Sequence, residues 1–388
     1  MTQVPRDSLI EETWAAKVLE PLLSPFSVSS LNLRNRFALA PMTRLKAVDG
    51  TPTPTDADYY RRRSAGGAGL IITEGTLIPD AAAGFSRRIP VLVGEAETGW
   101  RPVIDVVHAE GSAIVAQLWH TGISRGVRSK HNPGVPPRSP SGLSLAGKPV
   151  SEPMAVEDID QVIAAYAQGA AAAKAWGFDG VELHGAHGYL LDQFLWSRTN
   201  IRIDRFGRSS GHGTQFPVEV VRAVRDVVGD DFAVIYRFSQ WKTDHYSARI
   251  AETPGELEAL LMPLVEAGVD ILHPSTRRHW LPEFSEEGEL SLAGWTKKLT
   301  GLPTIAVGSI GIEAKYGGTV TPAVDTPLIR LEKLRDQFLT GEFDIAAIGR
   351  AMLADAEWIS KMINGRTGEI RPYRKIPETE TLDYERSY

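Results

Sequence analysis

Ala175-Trp176-Gly177-Phe178-Asp179-Gly180 runs directly into Val181-Glu182-Leu183-His184-Gly185-Ala186-His187-Gly188-Tyr189. The first six residues close a helix and open a strand. Gly177 suits a helix C-cap, and the apolar run carried by Val181 and Leu183 suits a buried strand ending at His184. Gly185 and Gly188 suit a turn that leaves the strand. The strand thus delivers two histidines and a tyrosine to one end. Both residue types donate hydrogen bonds at neutral pH and relay protons. A single histidine after a strand is more often structural than catalytic, but a pair at i and i+3 with a tyrosine at i+5 is harder to assign to structure alone. Together they can hold a carbonyl oxygen and deliver a proton beside it. A zinc site needs a third protein ligand, and His-x-x-His lacks the glutamate of the zinc-binding helix motif, so no metal is expected.

The same helix-to-strand passage recurs downstream as Glu266-Ala267-Gly268-Val269-Asp270 and Thr340-Gly341-Glu342-Phe343-Asp344. Eight short apolar runs follow one another: Arg36–Pro41, Gly69–Glu74, Ala113–Leu118, Gly180–His184, Phe232–Arg237, Val269–His273, Thr304–Gly308 and Asp344–Gly349. Stripes at helical spacing lie between several of them, such as Ile159, Val162, Ile163, Tyr166, Ala170 and Ala173. Strand–helix alternation implies parallel strands, and eight of them imply a closed (β/α)8 TIM barrel, an α/β fold. A doubly wound open sheet is the alternative, but no Gly-x-Gly-x-x-Gly follows an early strand, which disfavours a dinucleotide-binding Rossmann fold.

The 388 residues and 43% hydrophobic content suit one large soluble domain. A net charge of −6 disfavours a nucleic-acid partner, which usually meets a basic face. The sequence offers no run of 18 apolar residues, so no membrane span is expected, and residues 1–20 lack a signal-like apolar stretch. Cysteine is absent, which removes disulfides, thiolate nucleophiles and iron–sulfur clusters. A cytoplasmic location is expected. The whole chain, 1–388, reads as a single domain, with terminal extensions at about 1–30 and 366–388. Two long segments interrupt the alternation, Ser124–Glu152 and Thr276–Leu292, and both read as extended loops over the barrel mouth.

Active sites of such barrels lie at the carboxyl ends of the strands. The strand ends here supply Thr43 and Arg44, Glu74 and Gly75, Gln117 with Trp119 and His120, His184 and His187, Arg237, Gly308 with Ser309, and Gly349 with Arg350. The last two glycine-containing loops follow strands seven and eight, the usual phosphate site of the fold, where Arg350 can add charge-assisted hydrogen bonds.

Asn35-Arg36-Phe37-Ala38-Leu39-Ala40-Pro41-Met42-Thr43-Arg44, Gln117-Leu118-Trp119-His120-Thr121-Gly122, Phe178 through Phe194, and Gly349-Arg350 with Ala354-Asp355 resemble the old yellow enzyme family, in order, from about residue 21 to about 365. Any one of these motifs alone is weak; together they are specific. The resemblance implies non-covalently bound FMN, NADPH or NADH as hydride donor, and a small enone-type substrate whose activated C=C bond is reduced. It places Pro41, Met42 and Thr43 along the flavin, Gly75 and Gln117 at its pyrimidine edge, Arg237 near N1 and O2, and Gly308, Ser309, Gly349 and Arg350 on the phosphate. It makes His184 and His187 the donors to the substrate carbonyl, Tyr189 the proton donor, and Phe85, Trp119 and Trp280 the pocket walls. Thr43 and Trp119 resemble the branch without a cysteine at the Thr43 position. The resemblance is compatible with a monomer or homodimer. Reduction of nitro compounds or nitrate esters on the same flavin is the alternative activity. Another phosphate-binding barrel, such as a lyase or isomerase, would be favoured by a lysine at a strand end, and none stands there.

Two stretches depart from the family pattern. Gly211-His212-Gly213 stands where Glu-Asn-Arg is usual, which implies a changed local turn. Arg237-Phe238-Ser239-Gln240-Trp241-Lys242 departs from the usual small polar sequence after the arginine. Arg128, Arg138, Arg277 and Arg278 are candidates for contact with a nicotinamide 2′-phosphate.

Overall fold

The computed structural model describes residues 14–210, 212–312 and 327–373. A short antiparallel hairpin, β1 (Phe26–Val28) and β2 (Leu31–Leu33), precedes eight parallel strands. These are β3 (Phe37–Leu39), β4 (Leu70–Leu77), β5 (Ala113–Trp119), β6 (Gly180–His187), β7 (Ala233–Lys242), β8 (Ile271–Pro274), β9 (Ile305–Val307) and β10 (Ile345–Ile348). All eight expected runs form strands. The sheet order is β8-β7-β6-β5-β4-β3-β10-β9. Parallel bridges Leu272–Thr304 and Ser275–Val307 join the two outer strands, so the sheet closes into a barrel.

The recurring glycines do what the sequence requires of them. Gly177, Gly268 and Gly341 all sit at positive φ, and Gly177 caps the helix Val156–Trp176 through its N–H to the carbonyls of Ala173 and Lys174. The aspartate after each has a separate task. Asp179 accepts from the Ile114 N–H (2.7 Å), Asp270 from Val234 (2.8 Å) and Asp344 from Thr304 (2.9 Å). Each carboxylate satisfies a backbone donor at the opening of a neighbouring strand, which ties consecutive βα units together at the amino end of the barrel.

Two apolar cores result. One lies between strands and helices and includes Trp100, Tyr166, Phe194, Leu260 and Ile348. The other fills the barrel interior with Ala38, Leu70, Ile72, Val115, Ile235, Ile271, Ile305 and Ile345, and β2 adds Leu31 and Leu33 from below. The hairpin therefore plugs the floor of the barrel. Strands buried on both faces read as continuous apolar runs.

Two differences from the sequence reading concern strand extent, and a third site shows the form that the expected change of turn takes. β6 continues past His184 to His187, so Gly185 is not a turn residue. A Cβ there would lie 2.3 Å from the Tyr236 hydroxyl, and that close packing, rather than chain reversal, is what glycine permits. Gly188, at φ +84°, makes the turn. β7 continues past Arg237 to Lys242, because Lys242 is fully buried against Asp192 (2.8 Å). At the third site, Gly213 takes φ +79°, where a Cβ would meet the Phe194 carbonyl at 2.1 Å, and Arg208 donates to the Leu195 and His212 carbonyls. The departure at Gly211-His212-Gly213 thus makes a new turn pinned by Arg208; Gly211 itself lies outside the described residues. Of the expected terminal extensions, residues 14–30 and 366–373 are described, and Ala15, Val18, Leu19 and Leu22 of the first are buried in the core; the remainder lies outside the described residues. Among the described residues, no helix is long and apolar enough to cross a membrane.

Candidate active site

Along each strand, alternate residues face the barrel interior. On β7 the inward series is Ala233, Ile235, Arg237; on β8 it is Ile271, His273, Ser275; on β5, Val115 is followed by Gln117. β6 contributes Gly180, Glu182 and His184, in register with Ala233, Ile235 and Arg237. One inward step toward the carboxyl end replaces aliphatic side chains with polar ones.

These polar groups form a connected set. Glu182 accepts from Gln117 Nε2 (2.8 Å) on one side and from His273 Nδ1 (2.5 Å) on the other. Arg237 Nη2 donates to Ser275 Oγ (3.2 Å), and the same hydroxyl meets His187 Nε2 at 2.8 Å. Burial pushes the Glu182 carboxyl up, but His273 and Arg237 outweigh it, and the net direction is down. Burial, with Arg237 close by, lowers His273. The pair is best described as an ionised Glu182 accepting the Nδ1 proton of a neutral His273, with Arg237 as the balancing cation.

His184 and His187 sit above this layer with ring centroids 5.2 Å apart. The Tyr189 ring lies 4.9 Å from His184, and Trp119 lies 4.9 Å from Tyr189. Burial first, then the positive charge of Arg237, holds both imidazoles well below their ordinary pKa. At neutral pH each is therefore uncharged, with one N–H to donate. His184 Nδ1 is buried with no partner among the described residues. His187 is held at φ +65°, an uncommon conformation for a side chain of its size. Its N–H donates to Ser239 Oγ (2.9 Å), and Trp241 stacks on its ring at 4.3 Å.

A cavity of about 500 Å³ opens beside them. Pro41, Met42, Thr43, His187, Tyr189, Arg237, Gly308, Ser309, Gly349, Arg350 and Trp280 line it, as do Arg277, Arg278 and Arg330. At one end, Arg350 Nη2 donates to Ser309 Oγ (3.2 Å), which donates in turn to the Arg277 carbonyl (2.9 Å). A Cβ on Gly308 would stand 2.4 Å from Thr276 Oγ1 and 2.8 Å from the His279 nitrogen, so only glycine lets these loops meet. This end suits a phosphate: it combines a guanidinium, a hydroxyl and loop backbone free of Cβ atoms. At the other end Arg237 Nε is a buried donor with no partner among the described residues. Such a donor would donate to an electron-rich ring edge. The cavity's size, its cationic ends and the Pro41–Thr43 wall between them fit FMN.

Not every expected residue lines that cavity: His184 stands behind His187 and Tyr189 rather than on its wall. Gly75 lies in β4 opposite Gln117, and a Cβ there would meet the Trp119 ring at 2.5 Å; its visible reason is room for tryptophan. Gln117 spends its amide donor on Glu182. The three aromatic residues grouped as one pocket separate. Trp119 stands with Tyr189 and His184. Phe85 packs edge-on to Trp119 (6.1 Å) but lines a neighbouring cavity, and Trp280 lies under the Arg330 guanidinium (4.2 Å) at the cationic end. Of the arginine candidates, Arg138 is committed to Asp80 and Asp158, whereas Arg277 and Arg278 face the cavity.

Sequence reasoning missed Glu182, His273, Ser275 and Trp241. For Ser275 the signal was available, since it stands two residues past His273 on the inward face. For Trp241 it was the departure after Arg237.

Residues 21–369 match the family described as NADH:flavin oxidoreductase / NADH oxidase. An NADH oxidase from Thermoanaerobacter brockii is 32% identical over 363 residues, covering 90% of this chain and 52% of that protein. 12-Oxophytodienoate reductase 7 from Oryza sativa subsp. japonica is 37% identical over 230 residues, covering 54% of this chain and 56% of that protein. The chain spans about half the length of these curated relatives. The solved structure of morphinone reductase in complex with tetrahydroNAD has a TM-score of 0.74 and 27% identity, over 94% of this chain and 96% of that chain.

Proposed function

The chain belongs to the NADH:flavin oxidoreductase / NADH oxidase family, that of the old yellow enzymes, and from that premise we propose that it takes hydride from NADPH or NADH and reduces the activated C=C bond of an α,β-unsaturated carbonyl compound. The observation that carries this reading is the His187 imidazole and the Tyr189 ring on the wall of a cavity whose ends are cationic, with the second uncharged imidazole, His184, packed 5.2 Å from His187 and 4.9 Å from Tyr189. FMN, when bound, supplies the redox chemistry that moves hydride from nicotinamide to substrate.

The residues divide the remaining work. Addition of hydride to the β-carbon places negative charge on the carbonyl oxygen. His184 and His187 each offer an N–H to that oxygen, worth roughly 3–4 kcal/mol per good donor in comparable sites. Both are uncharged near pH 7, so neither is an effective proton source; each serves as a hydrogen-bond donor. The proton for the α-carbon comes from the Tyr189 hydroxyl, and the phenolate regains it from water at the open mouth. Arg237, held by Ser275, supplies fixed positive charge to the flavin's pyrimidine edge; Gly308, Ser309, Gly349 and Arg350 hold the phosphate. Trp241 and Ser275 fix the His187 ring between them.

The test is direct. FMN-loaded protein is incubated anaerobically with 2-cyclohexenone and either nicotinamide. Cyclohexanone is the expected product; FMN-loaded protein that leaves the enone intact with both nicotinamides overturns the proposal.

A further inference from the structure

Tyr189 and Thr243 are shared between two cavities. On one side lies the cationic cavity with Arg277, Arg278, Arg330 and Arg350. On the other lies a second cavity of about 490 Å³, walled by Phe85, Ile123, Val127, Leu145 and Val150, with Ser124 and Ser144 beside them and Asp244 as its charged residue. Phe85, Val127 and Val150 are 39%, 54% and 42% exposed. A clustered apolar exposure of this kind marks a binding surface more often than scattered single residues do.

The walls are built to hold their shape. Arg125, only 4% exposed, donates to the carbonyls of Gly84, Val135, Asn132 and His131. Arg202 donates to the carbonyls of Pro140 and Met154 (2.7 and 2.6 Å), and Arg138 bridges Asp80 and Asp158. Three guanidiniums therefore clamp the proline-rich loop that carries Val127, Leu145 and Val150. Gly188 lets this loop approach the tyrosine turn, since a Cβ there would lie 2.9 Å from Leu145.

We infer that this second cavity receives the uncharged apolar arm of the substrate, so that the enzyme favours enones with a long alkyl arm over small ones and over those whose arm ends in a carboxylate. The inference rests on the placement of the substrate carbonyl at the histidine pair. With FMN in the cationic cavity and the reacting carbons beside Tyr189, the cavity beside Phe85 is the space left for an arm. Apolar surface gains free energy against the Phe85, Ile123, Val127, Leu145 and Val150 side chains there. An anionic tail there meets the Asp244 carboxylate.

Titration calorimetry of the FMN-loaded protein with phenol, 4-propylphenol and 4-hexylphenol reads the cavity without turnover. Affinity should rise about tenfold for every two or three methylenes added, with an increasingly negative heat-capacity change. 6-(4-Hydroxyphenyl)hexanoate should lose that gain. Val127→Asp with Val150→Asp, both at exposed positions, should flatten the series and leave phenol itself unchanged. Equal affinities across the wild-type series, or a gain that survives in the variant, would overturn the inference. Turnover of 3-penten-2-one and 3-decen-2-one separates it from the reading beneath it. A chain-length gain in binding with neither enone reduced sinks ene-reduction and keeps the cavity. Reduction of both enones with no gain in binding does the reverse. Phenol failing to bind at all sinks both.

Discussion

The floor and the rim of the barrel interior are built from the same strands one inward step apart, and they follow opposite rules. At the floor, Val115, Ile235 and Ile271 meet Leu31 and Leu33 from the hairpin below, with no polar side chain among them. At the rim, the next inward positions are Gln117, Arg237 and His273, joined by Glu182, His184 and Ser275. The floor gains stability from burial, at about 25 cal/mol per Å² of apolar surface removed from water. The rim forgoes that gain and must satisfy each other's charges instead, and it leaves Arg237 Nε, His184 Nδ1 and His273 Nε2 without partners among the described residues. Buried polar atoms left open in a layer that adjoins a cavity are consistent with a site prepared for something else.

That contrast can be broken most forcefully at the histidine pair. His184→Ala combined with His187→Ala should lower enone turnover by about 10⁴-fold, from roughly 10²-fold or more per lost donor, and abolish phenol binding. A fall below tenfold would mean that the rim does not hold the carbonyl. Tyr189→Phe comes next. It should slow enone reduction by about 10²-fold or more, while oxidation of the nicotinamide with ferricyanide as acceptor stays near the wild-type rate. Equal losses with both acceptors would assign Tyr189 a structural role instead.

The floor should answer differently. Ile235→Ala should cost about 2–5 kcal/mol in urea unfolding and leave the turnover of folded protein within a few-fold. A variant of unchanged stability but lost turnover would erase the distinction between the layers. The smallest effect concerns Glu74, at the carboxyl end of β4, which accepts from the Arg44 N–H (2.7 Å) and the Leu45 N–H (3.3 Å). Burial raises its carboxyl to about 8. The folded state thus keeps a proton that the unfolded chain releases near its ordinary value of 4.5. Stability from this group is fully present below that ordinary value and is lost as pH rises through about 8. Glu74→Gln should remove on the order of 2 kcal/mol of the decline between those limits; parallel stability–pH curves for variant and wild type would refute the assignment.

The floor was legible in the sequence because its physics is local. A strand buried on both faces must be apolar throughout, and a glycine–aspartate entry repeats wherever a helix hands over to the next strand. The histidine pair was legible because polar residues end an apolar run. The partners of those histidines were not. Glu182 and His273 lie 91 positions apart, and Ser275 reaches His187 across 88; nothing in either local stretch announces the other. The extended end of β7 was hidden for the same reason, since Lys242 is tolerable in a strand only once Asp192, 50 residues earlier, is brought to it. Phe85 and Trp280 were grouped by the resemblance, whereas their places are set by distant arginine clamps and by Arg330.

The central claim is that the two imidazoles at the rim jointly receive an oxygen atom. A crystal structure of the FMN-loaded protein with bound phenol tests it most directly. The phenol oxygen should lie within about 2.6–3.2 Å of a ring nitrogen of both His184 and His187. A phenol oxygen held elsewhere in the cavity, with either imidazole turned away from it, would contradict the account.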